Sequence, residues 1–420
     1  MGKRVRYELL HQGTINVSSG VESAFFINNR RRLMEKLRGG IVVISAYSSM
    51  QRSNDMASPF EQESNFWWLS GIDSPNWWLI IDASRAKSWL VSPAAISINP
   101  DRDYLIEAAR TSSGVDDILS HDAGMQLLRE LSKKYSIVRT LGDQPHGQYL
   151  DFSLNPAQKK TYDILDRIFS TVQDCRRELA QLRAIKQPEE IIRIKKATNL
   201  VIDGFEYAKQ ELATTKYEYE IEASLSYYVR RHGGNTRAYD PVVAGGVRAC
   251  DLQYNANADR LKKRELVVVD SGARVQGYVA GLTRTFTYGE PTVRQRMMHE
   301  ALVQAHSSII ELIAPHLSLD QYQRDVDVIM KDMLLELGLL SSSDDIEGYR
   351  KHFPHAVSHG VGIDVHDSLG SPHFFAPGMV IAVEPGVYSR DERIGMRLQD
   401  VILITESGHV NLSKRLSTDL

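Results

Sequence analysis

The sequence predicts an α/β (α+β) protein built from two domains, and three observations carry that expectation. At 420 residues the chain is too long for one ordinary hydrophobic core. Short apolar runs that read as strands alternate with amphipathic, helix-period segments over most of its length. Near Leu182 the character changes, and a long helical pattern opened by a proline follows. Apolar residues make up 42% and charged residues 25%, a balance that suits a folded chain rather than a disordered one.

The first domain is expected over residues 1–178. From Phe25 to about Leu37, "FFINNRRRLMEKLRGG" reads as a basic amphipathic helix stopped by Gly39 and Gly40, and "IVVIS" reads as a buried strand after it. Trp67, Trp68, Trp77 and Trp78 then flank a turn from Gly71 to Pro75, with strand-like runs "WWLII" and "SWLVS" behind them. Such aromatics can stack on a ligand, but a hairpin core or a contact between subunits is the simpler reading.

The second domain is expected over residues 179–420. In "LRAIKQPEEIIRIKKATNLVIDGFEYAKQELA" the apolar residues recur at Ile191, Ile194, Ala197, Val201, Phe205 and Ala208, behind Pro188 and two glutamates. Proline in the first turn and acids beside the N-terminal dipole predict a long helix. A second helix follows from about Tyr217 to Arg231, ended by Gly233 and Gly234. Thereafter strands ("LVVVD", "MVIAVEP", "DVILIT") alternate with helices over about Val293 to Ala314 and Leu319 to Leu337.

Composition also excludes partners. A net charge of −3 offers no electrostatic footprint for nucleic acid or an anionic membrane. No apolar run approaches the roughly 20 residues needed to cross a bilayer. The two cysteines, Cys175 and Cys250, lie far apart with no CxxC spacing, so neither a disulfide framework nor a thiolate metal site is expected. These readings place the chain in the cytoplasm.

Chemistry-bearing groups gather in the C-terminal half. Asp270 ends the apolar part of "VVVDSGARVQGYVAGLTRTF"; "HFPHAVSHGVGIDVHD" holds His355, His359 and His366; "IAVEPGVY" sets Glu384 and Tyr388 around a Pro-Gly turn. In "GMRLQDVILIT" strand alternation puts Arg397, Gln399 and Val401 on one face and Leu398, Asp400 and Ile402 on the other. Singly, each has a structural reading as a turn residue or a satisfied core polar group. Together they resemble a hard-metal or hydrolytic site.

These motifs, with "RSNDMASPFEQESNFWWLSGI" near the start and "LRAIKQPEEI" at the junction, resemble the creatinase/aminopeptidase family, and within it the Xaa-Pro aminopeptidases. The resemblance covers nearly the whole chain and implies a creatinase-like α/β N-terminal domain, a C-terminal pita-bread domain, and a homodimer or tetramer formed through the N-terminal domains. It also implies a site holding two divalent metals, usually manganese, cobalt or zinc, on five protein ligands. Asp270, His359 and Glu384 match three of them. Gly281 and Gln399 stand where the two bridging carboxylates belong, and Gln253 stands where a substrate-binding histidine belongs. Catalytic roles carry over to His355, His366, Glu384, Tyr388 and Arg397, and substrate-binding positions to Asp55, Gln253, Tyr254, Gly281 and Gln399.

Losing two bridging charges argues against an ordinary two-metal centre, since a glutamine oxygen is a poor ligand for a hard cation. The expected cofactor is therefore none, or one weakly held manganese, zinc or cobalt ion. Three functions stay open: a non-hydrolytic homologue binding a small molecule or peptide, a metal-independent creatinase-like hydrolase with a histidine base, or a peptidase with one residual metal. Gly281 is expected to leave space beside Asp270 for a substrate group, cationic and held by Asp270 and Glu384.

Overall fold

The computed structural model describes residues 20–142, 144, 153–234 and 236–420. The chain divides into two compact units that meet in sequence between Leu182 and Arg183. Both mix helices and sheets, the α/β (α+β) class expected.

In the N-terminal unit the first helix, Ser23–Leu37, ends on Arg38 in the left-handed region, whose N–H returns to the Met34 carbonyl. The strand Ile41–Ser45 follows and is buried throughout. It lies inside a six-stranded mixed sheet, antiparallel to Trp78–Asp82 and parallel to Ile137–Thr140. Trp78–Asp82 pairs in turn with Lys87–Val91, the hairpin foreseen from "WWLII" and "SWLVS". The first tryptophan pair lies elsewhere, on the short helix Ser64–Ser70, capped by the Glu63 carboxylate at the Phe66 N–H. Trp67, Trp68 and Trp77 are all core residues, with Phe26 edge-on to Trp67 at 5.8 Å. The glycine that ends this helix, Gly71, is required twice over: its φ is +70°, and a Cβ there would enter the Phe26 ring.

The C-terminal unit carries the groups of interest. Pro188–Glu211 is the long helix, with Pro188 in its first turn and a capping box between Gln187 and Glu190. Its buried stripe of Ile194, Ala197, Val201 and Phe205 packs on a long hairpin, Glu265–Val275 with Tyr278–Tyr288. Gln276 and Gly277 turn that hairpin, both at positive φ, as a two-residue loop of matching twist requires. The strand Val242–Gly245 joins its far edge.

A second antiparallel sheet is ordered Ser358–Gly360, Val380–Val383, Asp400–Thr405, Gly408–Asn411. One register runs through its centre and beyond. Val383 faces Asp400, and in the adjoining ribbon Gly386 faces Arg397. Between them Leu398 N–H donates to the Pro385 carbonyl at 3.2 Å, so Glu384 lies opposite Gln399. Alternation then sorts the faces. Ile381, Val383, Ile402 and Ile404 pack with Met298, Leu302, Ile309, Val326 and Met330 of the helices Val293–Leu312 and Leu319–Glu336. Glu384, Gln399 and His359 point the other way, towards the long hairpin, to which Gln399 is stitched by a bridge with Thr283.

Candidate active site

Register decides which side chains meet. Asp270 pairs with Thr283 across the long hairpin, and Gly281 pairs with Gly272, so positions 270, 281 and 283 share one face. From the second sheet, His359 and Glu384 sit diagonally on adjacent strands and Gln399 lies across from Glu384. The loop carrying His366 is drawn in by Asp367, which takes Arg183 at 2.6 Å and Lys186 at 3.3 Å. Gly360 and Gly362 are glycines there because a Cβ on either would strike Asp367.

These walls enclose a cavity of about 520 Å³. Its polar side holds Asp270, His355, His359, His366, Glu384, Arg397 and Gln399. Val242, Leu252, Val279, Val361 and Val365 form its apolar side. A polar cluster facing an apolar wall is the usual make-up of a small-molecule site.

Both oxygens of Asp270 are engaged: Arg397 donates to one at 2.7 Å and the Tyr239 hydroxyl donates to the other. Tyr239 also overturns the expectation of open space at Gly281. A Cβ on Gly281 would lie 2.5 Å from the Tyr239 hydroxyl oxygen, so the phenol fills that room. The room expected there for a cationic group is taken by the phenol, and each Asp270 oxygen already has a donor. Gln399 is likewise committed, its Oε1 accepting the Thr283 hydroxyl at 3.0 Å.

The titratable groups are displaced towards neutrality. Burial pushes Glu384 up to about 8, with Asp270 adding to the rise and Arg397 opposing it. Burial brings His359 down to about 4, reinforced by His366, whose ring centre is 4.4 Å away. His355 falls to about 4 for the same first reason, with Arg397 contributing. Its two nitrogens are occupied, Nδ1 at the Ala356 carbonyl and Nε2 at the Tyr388 hydroxyl, both 2.9 Å. His359 Nδ1 reaches the Gly360 carbonyl at 2.8 Å, leaving Nε2 towards Glu384 Oε1 at 3.6 Å.

Four positions singled out from the sequence are not among the cavity residues. Tyr388 is buried behind the wall, its hydroxyl at His355 Nε2. Asp55 lies in the exposed turn of a small hairpin, Gln51–Ser53 with Met56–Ala57. Gln253 is exposed on a loop, and the Tyr254 hydroxyl donates to the buried Glu218 at 2.5 Å. Sequence reasoning missed Tyr239 and Thr283. Thr283 was legible in principle, as the residue directly opposite Asp270 on the same face of the hairpin. Tyr239, in "RAYDP", carried no signal.

The donor set does not suit the metals the resemblance implies. Both positions that the resemblance assigns to bridging carboxylates carry none, and no group of three or more His, Cys, Asp or Glu side chains among the described residues is placed to hold a metal ion.

Comparison with known proteins locates this architecture. The family model for metallopeptidase family M24 matches residues 192–406, and that for the aminopeptidase P N-terminal domain matches residues 26–138. The Xaa-Pro aminopeptidase of Haemophilus influenzae is 29% identical, across 94% of this chain and 95% of its own. That of Escherichia coli is 28% identical, across 92% and 94%. The solved structure of E. coli aminopeptidase P in its low-pH form superposes with a TM-score of 0.83 at 27% identity, covering 96% of this chain and 97% of that one. A zinc-substituted form of the same enzyme, with product, matches equally well. With its pita-bread C-terminal domain and aminopeptidase P-type N-terminal domain, the chain belongs to metallopeptidase family M24.

Proposed function

We propose that this protein is a non-hydrolytic member of its family, which binds a small molecule or short peptide in the Asp270–His359–Glu384 cavity without two-metal chemistry. One observation carries the reading: where bridging carboxylates are expected, Gly281 is filled by the Tyr239 phenol and Gln399 is tied to Thr283. Without bridging charge nothing holds two cations together, and the attacking water keeps its high pKa. Both cysteines are free, which fits a reducing cytoplasm. The test is elemental analysis after incubation with manganese, zinc or cobalt and desalting, with Xaa-Pro peptide hydrolysis measured on the same samples. No retained metal and no turnover are expected. About one metal per chain with turnover would support a mononuclear peptidase and overturn the reading.

A second reading has its own support in the fixed tautomer of His359, whose Nε2 is an acceptor facing the cavity beside Glu384. On it, His359 is the general base of a metal-independent hydrolase acting on a small C–N bonded substrate; His355, with both nitrogens taken, is not. Turnover that survives a chelator and disappears in His359→Ala would favour it.

A further inference from the structure

We propose that Gln399, Glu384 and His359 form a donor and acceptor set that recognises a small neutral primary carboxamide with a branched apolar body. The inference rests on the non-metal reading above and names its ligand class.

The argument runs through what each group still has to offer. Thr283 holds the carbonyl end of Gln399, so the amide end presents N–H donors only, and these have no partner among the described residues. His359 is the reverse case: with Nδ1 donating to Gly360, Nε2 can only accept. The Glu384 side chain, 18% exposed, has no hydrogen-bond partner among the described residues. Its Oε1 is 3.6 Å from His359 Nε2, too far for a bond between them and near enough for one ligand N–H to reach both. All three project from the same face of one sheet.

Charge narrows the head group further. Arg397 spends its charge on Asp270 at 2.7 Å and leaves none for a ligand anion. A cation meets the Gln399 N–H groups, which it cannot satisfy, and finds neither bridging carboxylate. A carboxamide supplies a C=O for Gln399 and an N–H for the His359–Glu384 pair. Burying either set unpaired is the penalty that rejects the other heads. Val242, Leu252, Val279 and Val361 offer a branched alkyl body an apolar wall.

The test is ligand-observed NMR on the full-length, desalted protein, using isobutyramide, isobutyrate and isobutylamine at equal concentrations. Isobutyramide should bind, with the other two weaker by roughly tenfold or more. Gln399→Met, which keeps the shape and removes the donors, should weaken isobutyramide by a similar factor; Gln399→Glu provides a second variant should Met disturb the fold. Preference for isobutylamine or isobutyrate, no binding by any of the three, or unchanged binding in both variants would overturn the inference. Metal content and Xaa-Pro turnover read on the same sample separate the two failures. Bound metal with turnover defeats the functional reading, whereas a metal-free, inactive protein that ignores isobutyramide defeats only this one.

Discussion

At position 281 one methyl group decides who owns the space beside Asp270. Gly281→Ala places a Cβ 2.5 Å from the Tyr239 hydroxyl oxygen, and overpacking of that kind costs about 1–3 kcal/mol. Chemical denaturation should show that loss, and Tyr239→Phe in the same chain should recover part of it, because the two residues compete for one volume. Additive effects would mean that Tyr239 does not fill the site. A second prediction concerns Glu384. Its folded carboxyl titrates near 8 while the unfolded one titrates near 4.5, so the folded state holds a proton that the unfolded chain releases. Stability is therefore lost as pH rises from about 4.5 to about 8. Glu384→Gln should remove a penalty on the order of 3 kcal/mol at pH 7 and almost none at pH 4.5. A melting temperature raised equally at both values would contradict that assignment.

On the strand Asp400–Thr405 and the residue before it, neighbours have opposite duties. Gln399 faces the cavity, while Asp400 faces inward to Arg284 at 2.6 Å and Asn411 at 2.6 Å. Burial alone would raise the Asp400 carboxyl, but Arg284 and His306 beside it hold it below the usual carboxylate range. Asp400→Ala should cost about 3–5 kcal/mol, since it strands a buried guanidinium, and Gln399→Ala should cost far less. Equal losses in denaturation would mean the strand is turned over. That orientation was legible in "RLQDVILIT" because strand period is 2 and needs no tertiary information. The long helix was legible for a similar reason: Pro188 and the acids after it announce a start without any partner. Tyr239 was not, because nothing local marks a loop tyrosine whose meaning is the hydrogen at Gly281, far along the sequence. Nor were the positions of Gln253 and Tyr254, where a buried Glu218 captures the tyrosine. The pair Trp67–Trp68 lacked periodicity to distinguish a seven-residue helix from a strand.

For the whole molecule these local displacements add to a stability profile bounded on both sides. His355 and His359 are neutral when folded, down to about 4, and the buried His306 is also lowered by burial. Unfolding lets them take protons once pH drops below about 6.5, so the contribution of His355 and His359 is lost from there down to about 4, and that of His306 is lost in the same direction. Glu384 acts from the alkaline side, and the melting temperature should peak at about pH 5–7. Replacing His355 and His306 with Gln should flatten the acid limb; an unchanged limb would place the acid sensitivity elsewhere. One further tie reaches Leu416 and Ser417. Arg284, 1% exposed, donates to the carbonyls of Thr283, Gln399, Leu416 and Ser417 as well as to Asp400. A guanidinium on the central hairpin thus waits for groups made some 130 residues later. Until Leu416 and Ser417 have been made and have cleared the ribosome, the strand that backs the cavity cannot be fully tied down, so this unit completes its binding site only once that segment has emerged.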